Sequence, residues 1–317
     1  MEVIALILSV SRRTDIPAFY FDWFWNRLQE GFLLVENPRN PDQLSRVELV
    51  PEKVDCMVFW SKNPAPMLPY LLQLEQMGYP FYIQFTLTPY GPTLEPHFSQ
   101  KNLLVDVFRS LSRLIGPQRV VWRYDPIILD LTYTTTWHLE QFATLYHQLN
   151  GYTRHCVISF VDPYSHLHGR FSTPLQPEIL HLAEGISHIV QGSIELSTCA
   201  ESLDLSAFGI RHGACIDQQM IERLLGCPIR AKKDPGQRPD CGCIESVDVG
   251  TYNTCPGGCA YCYAVQNPSR AVRKFSSFCS YTPALCRDLQ GTEKITIRQM
   301  PSVKSSQLSL FSPFHKE

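Results

Sequence analysis

Residues 56–87 read CMVFWSKNPAPMLPYLLQLEQMGYPFYIQFTL and contain one complete strand–helix–strand unit. The apolar run Cys56–Trp60 has the length and composition of a strand that is buried on both faces, as in a parallel sheet. An amphipathic segment, Leu68–Met77, follows it, and a second apolar run occupies Phe81–Leu87. Because a helix between two buried strands is typical of a βαβ unit, this stretch predicts a parallel α/β fold.

The same alternation continues along the chain. Further strand-like runs occupy Val3–Val10, Arg119–Arg123, His155–Val161, Ile194–Thr198 and Val247–Tyr252. Amphipathic segments occupy Phe19–Glu30, Leu103–Ile115, Thr136–Leu149 and Pro177–Ile189. Seven strands of this kind in 317 residues favour a TIM-type (β/α) barrel that forms a single domain over residues 1–300.

Polar residues follow five of the strands directly. They occupy Ser11–Asp15, Ser61–Pro64, Thr86–Thr88, Arg123–Pro126 and Cys199–Glu201. Barrel enzymes place their chemistry at the carboxyl ends of the strands, so these residues predict one shared site. The alternative is that the Asn-Pro and Asp-Pro pairs only form turns.

Composition indicates a globular enzyme of the cytoplasm. The net charge of −2 provides no general basic field for nucleic acid or for acidic membranes. No run approaches the roughly 20 apolar residues that span a bilayer, so no membrane partner is expected. The first apolar run follows Glu2 and lacks the basic start and cleavage site of a signal peptide.

The cysteines cluster toward the end of the chain. Seven of the twelve lie between Cys215 and Cys262, which in a large cytoplasmic protein favours metal binding over disulfides. Cys255, Cys259 and Cys262 have Cys-x3-Cys-x2-Cys spacing, and three thiolates in one loop can hold three irons of a [4Fe-4S] cluster. The fourth iron then remains open to a small molecule. A zinc site is the alternative, although zinc usually takes four ligands.

This motif, with the aromatic Tyr261 before its last cysteine, resembles that of radical S-adenosylmethionine (SAM) enzymes. The chain resembles an uncharacterised bacterial family of such barrels in which the cluster loop lies near the C-terminus, as in a circular permutation. Read as a circle from the cluster loop, the order of its segments is similar to that of spore photoproduct lyase. The matching segments are Ser9–Asp15, Trp60–Asn63, Phe85–Pro96 and Tyr124–Ile127.

The resemblance implies a cofactor site and a substrate site. It implies that Ser11, Lys62 and Thr86 line the SAM site. Lys62 would face the carboxylate of SAM, Asp15 would bind its amino group, and Tyr261 would lie along its adenine ring. It implies that the substrate faces Arg123, Tyr124 and Asp125. A donor such as flavodoxin or ferredoxin would reduce the cluster, and SAM cleavage would give a 5′-deoxyadenosyl radical. The N-terminal strand would pair with the strand before the cluster loop.

Four further cysteines predict a second metal site. Cys199, Cys215, Cys241 and Cys243 lie on loops at one end of the predicted barrel, where they could hold a second iron–sulfur cluster or a zinc ion. The alternative is that Cys199 and Cys215 are simply small buried residues, as cysteines often are.

The segment 301–317 is polar and Ser-rich, which predicts a flexible tail. Within it, Gln307-Leu308-Ser309-Leu310-Phe311 resembles the pentapeptide by which bacterial replication and repair proteins bind the DNA polymerase sliding clamp. In such a peptide Leu308, Leu310 and Phe311 would enter apolar pockets and Gln307 would form hydrogen bonds. A chance match is the alternative.

These patterns support three hypotheses. The first is a radical SAM enzyme that repairs or modifies DNA while tethered to the sliding clamp, which would raise its local concentration on DNA without a strongly basic surface. The second is the same chemistry on a small molecule or a peptide. The third is a non-catalytic binding protein stabilised by zinc or by an iron–sulfur cluster.

Overall fold

The computed structural model describes residues 6–167, 169–299 and 302–304. Strands and helices alternate through most of this range. The strands are β1 Leu6–Val10, β2 Phe32–Asn37, β3 Asn40–Glu48, β4 Val54–Ser61, β5 Phe81–Thr86, β6 Val120–Ile127, β7 His155–Phe160, β8 Glu195–Cys199, β9 Ile210–Gly213, β10 Val247–Asp248 and β11 Lys294–Ile297. The helices are α1 Ile16–Phe19, α2 Phe21–Glu30, α3 Leu71–Gln76, α4 Lys101–Ile115, α5 Thr135–Leu149, α6 Gln176–Val190, α7 Gln218–Leu225 and α8 Pro268–Ser277.

Eight of the strands form one parallel sheet in the order β10-β1-β4-β5-β6-β7-β8-β9. The sheet has two edges, β10 and β9, so the prediction of a closed TIM-type barrel is wrong, whereas the parallel α/β class is confirmed. A strand buried on both faces gives the same apolar run in a closed barrel and in an open sheet that is covered on both sides. The sequence pattern therefore could not distinguish the two architectures.

The strand before the cluster loop lies beside the N-terminal strand. β10 pairs with β1 in parallel, with Leu8 opposite Val247 and Ser9 opposite Asp248. This confirms the pairing that the permuted order predicts. It also brings the loop that carries Cys255 to the end of the chain's first strand.

The two faces of the sheet have different covers. Side chains alternate along a strand, so Leu8 and Phe59 pack on one face, whereas Ile7 and Val58 pack on the other. The first face packs against helix residues that include Phe24, Leu71, Phe108, Phe142 and Leu182. The second face packs against the segment 215–244, which supplies Cys215, Ile216, Met220, Ile221, Cys241, Cys243 and Ile244. This segment covers the face that a closed barrel would turn inward.

Side-chain caps set the start of several helices. Thr134 accepts a hydrogen bond from the Trp137 amide at the start of α5, and Asp217 and Asn267 cap α7 and α8 in the same way. Such caps satisfy amide groups that have no partner within the helix. None of the helices in the described ranges combines the length and the apolar character needed to cross a membrane.

A second, smaller sheet joins β2, β3 and β11, and the sequence reading missed all three strands. Exposure to solvent explains two of the three omissions, those of β3 and β11. β11 is exposed along its whole length, and β3 is exposed over its first four residues, so neither gives a strong apolar run.

The first residues of the predicted tail contact the sheet. The carboxylate of the buried Asp55 accepts hydrogen bonds from the Ser302 hydroxyl at 3.0 Å and the Val303 amide at 2.9 Å, and it pairs with Lys304 at 3.4 Å. The clamp-binding-like peptide Gln307–Phe311 lies outside the described residues.

Candidate active site

The carboxyl ends of the parallel strands surround a cavity of about 440 Å³. Nearly all the predicted site residues line it, and they come from eight different parts of the chain. These are Ser11, Asp15, Lys62, Thr86, Arg123, Asp125, Cys199, Cys215, Cys241, Cys243, Cys255, Cys259, Tyr261 and Cys262. The structure therefore brings the polar residues after the strands to one cavity, and their role in a functional site stays a prediction.

The cluster loop fits closely against the segment that follows β5. The Ala260 amide donates a hydrogen bond to the Leu94 carbonyl at 2.9 Å. A side chain at Gly258 would place its Cβ 2.9 Å from the Pro96 ring, and Gly258 also has a φ of +68°. Glycine is favoured there for both reasons, so the loop's approach to Pro96 depends on it.

Backbone amides favour the thiolate form of two cysteines in this loop. The Gly257 amide acts to lower the pKa of Cys255, and the amides of Ala264 and Val265 act to lower the pKa of Cys262, although burial raises both overall. Amide donors of this kind stabilise the sulfur ligands of iron–sulfur clusters. Burial raises the pKa of the Cys255 thiol to about 12, so that thiol stays protonated until a cation binds.

Within the described residues, no three or more Cys, His, Asp or Glu side chains already surround one point as a metal-ligand set. A cubane cluster does not need such convergence, because each of its three cysteines binds a different iron. A single zinc ion in the cluster loop would need a fourth ligand, which these three thiols do not supply. Three thiols therefore fit a cluster with one open iron better than they fit zinc.

A buried carboxylate, Glu95, fixes the predicted SAM ligand Lys62. The Lys62 ammonium lies 2.7 Å from a Glu95 oxygen, and Thr88, Lys101 and Tyr261 donate to the same carboxylate. Burial opposes the charge on Glu95, but Lys62 and Lys101 outweigh it and lower the pKa of the carboxyl. Sequence reasoning gave Glu95 no role, because a single acid in a loop carries no periodic or spacing signal.

Asp15 organises the end of β4. Its carboxylate accepts hydrogen bonds from the Ser61 hydroxyl at 2.7 Å, the Lys62 amide at 2.8 Å and the Ala18 amide at 3.0 Å. Burial raises the pKa of Asp15 to about 6, although these three donors oppose the rise. The carboxylate thus holds the loop from which Lys62 projects. Its role as an amino-group ligand stays a prediction.

Ser11 is tied to β10. Its hydroxyl donates to Asp248 at 2.5 Å, and the same carboxylate accepts from the Arg12 amide at 2.8 Å. A side chain at Gly250 would collide with the Ser11 hydroxyl, since the added Cβ would lie 2.0 Å from it. The sequence gave no role to Asp248, which links the first strand to the strand before the cluster loop.

The three residues predicted to face the substrate divide between two environments. Arg123 forms an ion pair with Asp125 and lies 5.1 Å from the Trp60 ring, and both charged groups line the cavity. Tyr124 is fully buried in the core, where its hydroxyl lies 2.9 Å from His138 Nδ1, so the structure does not bring it to the cavity. Alternation along β6 turns residue 124 to the face opposite that of 123 and 125.

The second set of cysteines is also brought together. The Cys199 and Cys215 sulfurs are 3.0 Å apart, and Cys241 and Cys243 pack in the same cluster of residues. Hydrogen bonding with Cys215 lowers the pKa of Cys199. Hydrogen bonding with Cys215 and Cys241 lowers the pKa of Cys243 to about 2. The four side chains thus form one continuous group.

Comparison with known proteins identifies a family and no described activity. No curated protein matches the chain. Residues 7–264 match the family model described as a domain of unknown function, DUF1848, and the matched range contains the cluster loop and the strand ends that line the cavity. The chain therefore belongs to the DUF1848 family.

Proposed function

We propose that this chain is a radical SAM enzyme that binds a [4Fe-4S] cluster through Cys255, Cys259 and Cys262 and acts on DNA at the sliding clamp. One observation carries the proposal. The three cysteines share a single cavity with Lys62 and with the Arg123–Asp125 pair, so the proposed cofactor site and the proposed substrate site would be adjacent. A zinc-stabilised binding protein would not need this combination.

When bound and reduced, the cluster would supply the electron that cleaves SAM to a 5′-deoxyadenosyl radical. Lys62 would bind the SAM carboxylate, because an ammonium has three donors and Glu95 takes one of them. Glu95 keeps this side chain at the cavity wall, and Asp15 holds the Lys62 backbone. The walls would shield the reacting groups from water.

The charge of the cavity supports an anionic substrate. Five cations line it, Arg12, Arg13, Lys62, Arg123 and Arg238, against three carboxylates, Asp15, Asp125 and Asp162, which leaves an excess of positive charge. A cavity of about 440 Å³ falls within the range of small-molecule sites, and enzymes that act on a base turn it out of the duplex into such a pocket. These two features, together with the clamp-binding-like peptide, favour DNA as the substrate.

The cluster and the SAM site can be tested with matched variants. After anaerobic reconstitution we expect about four irons and four sulfides per chain. Cys259→Ala should lose the cluster, and the exposed Cys279→Ala should keep it. Lys62→Ala should weaken SAM binding about 10- to 100-fold, as expected when a charge-assisted hydrogen bond is lost.

Lys101→Ala is the control for Lys62→Ala. Both lysines pair with Glu95, but only Lys62 lines the cavity. Equal SAM affinity in the two variants would contradict the assignment of Lys62.

The DNA part is tested separately. The full chain should bind the purified sliding clamp, and both deletion of residues 307–311 and the double change Leu308→Ala, Phe311→Ala should abolish binding. Deletion of the peptide could instead leave the cluster, clamp binding and DNA binding unchanged. That result would contradict the tether and leave a small molecule or a peptide as the substrate.

A further inference from the structure

Four cysteines from three separate segments meet in the wall of the cavity. Cys199 ends β8, Cys215 follows β9, and Cys241 and Cys243 lie between α7 and β10. The Cys199 and Cys215 sulfurs are 3.0 Å apart, and all four cysteines pack in the same cluster of residues. Three of the four are buried, and Cys199 is half-buried.

The backbone around these four cysteines is hydrogen-bonded to the sheet. The Cys215 carbonyl accepts hydrogen bonds from the Tyr82 hydroxyl at 2.6 Å and from Gln84 Nε2 at 2.8 Å, both on β5. The Ile216 amide donates to the Cys243 sulfur at 3.3 Å, which ties the second segment to the third. The thiols are therefore held together by a fixed scaffold.

Cations surround the same sulfurs. The Arg123 guanidinium donates to the Cys215 sulfur at 2.5 Å, and the largely buried Arg12 interacts electrostatically with Cys243. Each guanidinium also pairs with carboxylates, Arg123 with Asp125 and Arg12 with Asp234 and Asp248. Four thiolates around a divalent ion carry a net charge of −2, and these two guanidinium groups would lie beside that charge and lower its cost.

We propose that Cys199, Cys215, Cys241 and Cys243 bind one tetrahedral divalent metal ion, and that this ion is zinc. With metal–sulfur bonds of about 2.3 Å, neighbouring sulfurs of a tetrahedral site lie about 3.8 Å apart. The Cys199 and Cys215 sulfurs, 3.0 Å apart, are closer to this spacing than to that of a [4Fe-4S] cluster, which keeps its cysteines apart because the cubane core lies between them.

The described residues contain no ready-made ligand set, so a bound ion would draw the four thiols together into a tetrahedron. Hydrogen bonds already hold the Cys215 carbonyl and the Cys243 sulfur, so Cys199 and Cys241 would make the larger movement. Because Cys215 also accepts a hydrogen bond from Arg123, the ion would fix that guanidinium at the cavity wall.

The test uses the full-length chain with Cys255, Cys259 and Cys262 all changed to Ala, so that the cluster loop contributes no thiols. Purified without oxygen, it should contain about one zinc ion per chain, and X-ray absorption should show four sulfur ligands at about 2.3 Å. Cys243→Ser in this background should lose at least nine-tenths of the zinc. Cys279→Ser, at an exposed position, should retain it.

If Cys243→Ser does not fold, cobalt titration of the cluster-free chain decides instead. Tetrahedral d–d bands with thiolate charge-transfer absorption support the proposal, and their absence overturns it. Iron with inorganic sulfide in the cluster-free chain, no bound metal, or a Cys199–Cys215 disulfide isolated without oxygen would also overturn it. None of these outcomes bears on the radical SAM proposal, because the loop thiols are absent from this background.

Discussion

Replacing Glu95 by Gln should severely destabilise the protein, although the change is nearly isosteric. Glu95 is 1% exposed, and its carboxylate is the shared partner of the Lys62 and Lys101 ammonium groups. The Gln carbonyl can still accept hydrogen bonds from Thr88 and Tyr261, so the substitution removes mainly the negative charge. Two largely buried ammonium groups would then lack their counter-charge.

The size of the effect follows from burial. Removing one member of a buried ion pair typically costs about 3–5 kcal/mol of unfolding free energy, because the remaining charge stays desolvated. The matched control is Glu75→Gln, which removes the partner of Arg119 at a site where the Glu75 side chain is 34% exposed. Water screens such a pair, so that change should cost less than about 1 kcal/mol.

Urea denaturation of the metal-free chain at pH 7.5 gives the free energy of unfolding of both variants. The free energy lost in Glu95→Gln should also become smaller as the pH approaches 10. Burial already lowers the pKa of Lys101, and a neutral lysine needs no counter-charge. Adding Lys101→Met to Glu95→Gln should recover part of the loss. A Glu95→Gln deficit no larger than that of Glu75→Gln would refute the reasoning.

Three further predictions concern stability. Burial lowers the pKa of His138 from 6.5 to about 4. The neutral imidazole therefore stabilises the fold above pH 6.5, and this stability is lost as the pH falls toward 4. In denaturation curves at pH 7 and pH 4.5, His138→Gln should remove up to about 3 kcal/mol of the difference in unfolding free energy. Gly258→Ala should destabilise the chain by at least about 1 kcal/mol more than Gly78→Ala, since both glycines have positive φ but only Gly258 faces a neighbour; equal costs would contradict the close approach to Pro96. Asp55→Ala should increase hydrogen exchange at residues 302–304 by at least about tenfold, as expected for loss of roughly 1.4 kcal/mol of local stability, and unchanged exchange would show that Asp55 does not hold this segment.

Sequence patterns identified the parallel strands and the shared site, since each buried run ends in polar residues at the same edge of the sheet. They could not show that the sheet stays open, because segment 215–244 covers its second face and carries little periodic signal of its own. The prediction for Tyr124 was wrong, although the alternation of side chains along β6 could have placed it in the core, on the face opposite Arg123 and Asp125. Glu95 could not be assigned, because its role depends on Lys62 and Lys101, which contact it only in the folded chain.

The central claim is that the cluster loop and Lys62 support reductive cleavage of SAM. The most direct measurement is 5′-deoxyadenosine formation by the anaerobically reconstituted and reduced chain, with the Cys259→Ala variant treated identically. We predict product from the unmodified chain and none from the variant. A chain that binds stoichiometric zinc at the loop, assembles no cluster and forms no 5′-deoxyadenosine would contradict the account.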